Sequence, residues 1–191
     1  KEVTLSGGDQ SRILHITGND TDVQLQSLAL THGRVAGLYA LGAAVLAELD
    51  SGSLRMASVT VRDNQAIGHD AEGGGILSDG EEAILIDSKV IHNRAVGAYG
   101  EYTYARGGGI VGNALTLVGS IVNDNSVVAD LGVGGGISGR SVSLFNSTVS
   151  GNQVGLSGNG GGVQGYTVTL TNSTITGNHA EAGGGVIGYM L

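Results

Sequence analysis

His32, Asp63, His92 and Asp124 each stand immediately before a recurrent Gly or Asn, at Gly33, Asn64, Asn93 and Asn125. Residues in that alternation suit two kinds of chemistry: an imidazole beside a carboxylate can ligate a divalent cation, or the pair can move a proton. If the recurrent position marks one turn of a stacked chain, the four side chains form a column at steps of about 4.8 Å. Arg62 and Lys89 fall beside it, and a β-eliminating lyase needs such a base. On the same spacing Asp63 and Asp124 are about 9.6 Å apart, at the edge of the carboxylate separation of an inverting glycosidase. The competing reading is a solvated corner that accepts any hydrophilic residue; in the next two turns Gly151 and Gly177 take the position.

Two further clusters could bind rather than react. Glu48 and Asp50, then Asp79, Glu81 and Glu82, form an acidic rim on successive turns. Hard oxygen ligands suit Ca²⁺, which wants six to eight of them, although the spacing matches no dedicated calcium motif. The other cluster is the longest insertion, RAVGAYGEYTYAR from Arg94 to Arg106, with Tyr99, Glu101, Tyr102 and Tyr104. Aromatic rings beside polar groups are what a glycan- or protein-binding loop presents; the alternative is tyrosines folded down over the coil edge. QAIGHDAE and SVVADLGV are similar, less informative insertions.

Composition removes several classes. Net charge is −8 with 9 Lys plus Arg, the wrong sign for a phosphate-backbone partner. No apolar run approaches the roughly 18 residues of a membrane helix. Cysteine is absent, so there is no disulfide framework and no thiolate metal site. Signatures such as GxSxG, HExxH and a phosphate loop are missing, and the glycine clusters do not precede a helix, so they carry no nucleotide meaning. Gly is 36 of 191 residues, yet Pro is absent and hydrophobic residues reach 40%, which excludes a disordered Gly linker.

What must position these residues is a repeat. GGGISGRSVSLFNSTVSGN (134–152) returns as GGGVQGYTVTLTNSTITGN (160–178) and GGGIVGNALTLVGSIVNDN (107–125), more loosely at 73–93 and 42–64, and begins again at Gly183. Self-similarity at roughly 20–50 residues signals a solenoid. Aligned on the closing Asn, the copies give apolar columns such as Leu25, Met56, Leu85, Leu117, Leu144, Leu170 and Leu30, Val61, Val90, Val122, Val149, Ile175. A small polar corner column (Ser27, Ser58, Asp87, Gly119, Asn146, Asn172) lies between them, and Val45, Ile76, Ile110, Ile137, Val163 and Val186 add a column after the glycines. Each coil thus reads as three short strands, and stacking pairs every amide with the coil above or below. The Asn-to-Asn spacings of 29, 32, 27 and 26 are too irregular for a hexapeptide helix and indicate the right-handed kind. The Asn, Ser and Gly columns then have structural reasons of their own.

The phrase GGG[I/V] followed by [V/L]-T-L-x-N-S-T-[V/I]-x-x-N resembles right-handed β-helix repeats of large bacterial surface and secreted proteins. More distantly it is similar to the chlamydial polymorphic outer membrane proteins, which are autotransporter passengers with GGA[I/L/V] and FxxN motifs. GGGI follows the logic of the first motif; the second is not matched, Phe145 being the one Phe. The opening VTLSGGDQSRILHI resembles the first coil of the former group, and the resemblance spans nearly the whole chain. It implies fold rather than function, since such helices carry lyases, hydrolases, adhesins and stalks alike.

The expected fold is therefore all-β, a right-handed parallel β-helix of about six coils of roughly 23–34 residues. The expected organisation is one domain over 1–191, a segment of a longer chain, with repeats near 1–33, 42–64, 73–93, 107–125, 134–152, 160–178 and a partial 183–191. The expected function is a non-catalytic extracellular or cell-surface segment: an adhesin, a passenger or a structural fibre. It would present Tyr99, Glu101, Tyr102 and Tyr104 to a host, neighbouring-cell or matrix glycan or protein, or associate end to end through open strand edges. The repeat implies no cofactor, and Ca²⁺ at the acidic rim is the one metal expectation. The alternative is a polysaccharide-active lyase or hydrolase using His32, Asp63, His92 and Asp124 with Arg62 and Lys89.

Overall fold

The computed structural model describes residues 2–155 and 157–188, so 189–191 of the last copy lie outside the described residues. Among the described residues there is no helix, and the strands form three parallel sheets of seven, nine and eight strands. The result is a β-solenoid of about six turns, of the right-handed type. The first sheet runs from Val3–Ser6 through Ile121–Asn123 to Thr174–Thr176; the second runs from Leu14–Thr17 through Ile110–Val118 to Val186–Gly188.

The register is the one the sequence columns imply. Leu85 pairs with Met56 and Leu117, Leu117 with Leu144, and Leu144 with Leu170. Alternation buries Met56, Leu85, Leu117 and Leu144 completely. Corners are made where the backbone turns left-handed: Ser27, Ser58, Asp87, Gly119, Asn146 and Asn172 have φ between 48° and 59°. Just beyond that corner, stacked serines bond along the axis. Ser88 donates its amide to Ser120 Oγ, and Ser120 donates its amide to Ser147 Oγ, each at 3.1 Å.

The closing Asn column is a continuous ladder. Asn125 Nδ2 donates to Val90 O at 2.8 Å and to Asn152 Oδ1 at 2.9 Å, while its own Oδ1 accepts the amide and the Nδ2 of Asn93. Fully buried amides are tolerable because every donor and acceptor meets its equivalent one coil away.

Two of the three expected strands merge. In Ile110–Val118 and Ile137–Phe145 the segment after the glycines and the following apolar alternation form one strand of the second sheet. The third sheet comes instead from the segments read as insertions: Gln65–Glu72, Arg94–Gly97 with Tyr104–Arg106, and Ser126–Val128 with Leu131–Val133. They pair because small residues alternate inward. Ala66, Ala95, Val127 and Val154 stack with Ala40, Ala71 and Ala105 as a second core beside the main one.

The Gly triplet bends the chain between the third and second sheets. Gly107 has φ of 58°, and a Cβ on Gly108 would lie 2.4 Å from the carbonyl oxygen of Gly135. Side chains are excluded there by the neighbouring coil, and the sharp bend folds two outward-facing columns toward one another.

Candidate functional site

The His/Asp column exists, and the backbone explains its composition. His32, Asp63, His92 and Asp124 have φ of 55°, 58°, 55° and 54°, and Gly151 and Gly177 continue at 65° and 62°. Asp, His and Gly are residues that tolerate the left-handed region. His92 lies between two carboxylates, with Nδ1 3.9 Å from Asp63 Oδ1 and Nε2 3.5 Å from Asp124 Oδ2. Each neighbour also has a local partner: Arg62 NH1 reaches Asp63 Oδ2 at 2.5 Å, Asn123 Nδ2 donates to Asp124 at 2.7 Å, and His32 Nδ1 meets Thr31 Oγ1 at 2.7 Å. The His92 side chain is 55% exposed. Lys89 lies on the first sheet, in register with Thr60 and Ile121, with no bond to the column among the described residues.

The acidic rim does not gather. Glu48 meets His15 Nε2 at 2.6 Å, Asp79 accepts the amide of Leu49 at 2.9 Å, and Glu82 accepts the Thr116 hydroxyl at 2.6 Å. Asp50 occupies a left-handed turn, and Glu81 is exposed. Among the described residues no group of three or more His, Asp or Glu is arranged to hold a metal ion.

The Tyr loop divides. Tyr99 and Tyr102 are 64% and 79% exposed, and both have left-handed backbones, with φ of 71° and 61°. A bulky residue in that region is an outlier that costs about 1–3 kcal/mol. Glu101 is exposed between them. The base of the loop is fastened by Asp130 of the next coil, whose Oδ2 accepts both the amide and the hydroxyl of Thr103 at 2.9 Å. Those two bonds, with a third from the Tyr102 amide, outweigh desolvation and hold the Asp130 carboxyl below its usual range.

Tyr104 belongs elsewhere. It is half-buried in an open groove of about 680 Å³ that runs along the solenoid outside the Gly bend. One wall is the outward column Leu41, Glu72, Arg106, Val133 of the third sheet. The floor is Leu77, Val111 and, two coils beyond in the same register, Gln164, whose Oε1 accepts the buried Ser138 hydroxyl at 2.7 Å. Leu41 and Leu46 complete a small apolar cluster with Leu77 and Val111. Asp79, Asn113, Arg140 and Tyr166 form the far wall, and the last three continue into a second depression of about 710 Å³.

The groove is electrically mixed. Arg106 NH2 donates to Glu72 Oε2 at 2.8 Å, and its buried Nε has no hydrogen-bond partner. Burial pulls this guanidinium down, but the hydrogen bond and charge of Glu72 together outweigh it and hold it above its ordinary value. Burial raises Tyr104; Arg106 opposes the rise, while Glu72 and Asp70 add to it, so the phenol stays a donor.

The structure thus unites Tyr104, taken from the loop, with Asp79, taken from the acidic rim, and separates each from its sequence neighbours. Sequence reasoning missed Glu72, Arg106, Asn113, Arg140 and Tyr166. Their signal was their place, one or more residues to either side of the Gly triplet in successive copies. No protein-family model, no curated protein and no solved structure matches the chain. Among the described residues no helix is long and apolar enough to cross a membrane.

Proposed function

We propose that this chain is a non-catalytic β-solenoid segment of an extracellular or cell-surface protein, of the adhesin, passenger or fibre kind, that displays loops for binding. The observation that carries the reading is the pair Tyr99 and Tyr102: two exposed aromatics held on left-handed backbone over a loop tied down by Asp130. Strain maintained at an exposed aromatic tip, where no packing benefit offsets it, is the mark of a presented contact. The bacterial-surface location follows from the likeness of the GGGI…NSTxxxN repeat to such proteins.

The test is adhesion of the purified protein to cell-surface and matrix preparations, with Tyr102→Ala and Tyr99→Ala as variants. Retained fold with adhesion reduced severalfold supports the reading; equal adhesion by both variants and the parent overturns it. The lyase or hydrolase alternative draws on the Asp63–His92–Asp124 contacts. New chain ends on acidic or neutral polysaccharides, lost in Asp63→Asn and His92→Ala, would replace the binding role with that one.

A further inference from the structure

We propose that the groove outside the Gly bend binds a linear, neutral glycan chain lying parallel to the solenoid axis. This extends the binding role to a second surface and stands on different residues from the Tyr loop. The groove takes side chains from five successive coils, roughly 20 Å at about 4.8 Å per coil. That shape suits a polymer with a repeating unit rather than a compact ligand.

The chemistry selects the class. A sugar ring has an apolar C–H face and a rim of hydroxyls. The groove offers an apolar floor at Leu77 and Val111, aromatic rings at Tyr104 and Tyr166, and planar polar groups at Asn113 and Arg140. Among the described residues Arg140 is exposed and makes no ion pair, so its guanidinium can donate to a sugar hydroxyl. An extended peptide is disfavoured because the strands of both walls already pair with neighbouring coils, leaving no main-chain edge to recognise it. A polyanion would meet Glu72 and Asp79 beside the two arginines, on a chain of net charge −8. A lipid tail would strand the Arg106–Glu72 pair without water.

The experiment is calorimetric titration of the whole chain with linear hexasaccharides of glucose, mannose, xylose, galactose and N-acetylglucosamine, and with a hexauronate. At least one neutral hexamer is expected to bind more tightly than the hexauronate. Arg140→Ala, at an exposed position, is expected to weaken binding by about 10- to 150-fold, on the scale of a hydrogen bond from a charged donor. Val111→Lys should abolish it, with circular dichroism confirming the fold; Tyr166→Ala serves if Val111→Lys does not fold. Tyr102→Ala should change nothing, which separates this site from the loop. The proposal is overturned if no neutral hexamer binds at millimolar concentration, if the hexauronate binds best, or if binding survives Arg140→Ala together with the floor or Tyr166 variant.

Discussion

Asn125 and Asp124 are adjacent in sequence and belong to two columns that climb the solenoid side by side, yet the columns differ in kind. In the Asn ladder each buried amide is both donor and acceptor to its equivalents, with contacts of 2.9–3.0 Å between Asn93, Asn125 and Asn152. In the His/Asp column the contacts along the stack are 3.5 and 3.9 Å, and the shorter bonds go sideways to Arg62 and Asn123. The first column is interior and bonds because it has no water; the second is half in solvent and is selected by its left-handed backbone. A vertical run of chemically apt side chains is therefore not evidence of a site when conformation alone accounts for the residue types.

Breaking the inner column should have the largest effect. Asn125→Ala orphans the amide of Asn93 and the carbonyl of Val90 and is expected to cost about 3–5 kcal/mol, at about 1–3 per stranded group. Urea unfolding would measure it, and a loss under about 1 kcal/mol would dissolve the distinction drawn here. Ser120→Ala, which strands the Ser88 amide and removes the hydroxyl donor to the Leu85 and Val118 carbonyls, should lose about 1–3 kcal/mol in the same assay. Tyr102→Gly should instead stabilise by up to about 1 kcal/mol through relief of the left-handed tyrosine, visible as a raised urea midpoint.

The outer column should barely respond. His92→Gly and Asp124→Gly are each expected within about ±0.5 kcal/mol of the parent, at the favourable end because Gly fits φ > 0, whereas His92→Ala, which leaves the left-handed backbone to a Cβ, should cost about 1 kcal/mol. The loop tie offers a pH readout. The folded Asp130 carboxyl lies below its ordinary value, so its contribution is complete above the usual Asp range and is lost as pH falls beneath it. The Thr103 amide chemical shift should move over that acid range, and Asp130→Asn should remove the transition.

Some of this was legible from the chain. The apolar columns aligned on the closing Asn are paired strand registers in the fold, because a repeat that buries one face can stack in only one phase. The third sheet was overlooked although its marks were regular: Ala66, Ala95, Val127 and Val154 each stand two residues after Asn64, Asn93, Asn125 and Asn152. Alanine is a weak apolar signal, and only the close approach of the coils makes it a core residue.

Sequence alone thus determined the solenoid, its period and the identity of its inner columns, since those depend on residues that repeat and meet their own equivalents. Tertiary structure decided the outer surface. The groove joins Arg106 to Val111 and Arg140 across a bend of three glycines, and no periodicity relates those types. Whether two outward columns face each other or diverge depends on the angle of that bend, which the crowding of neighbouring backbones sets.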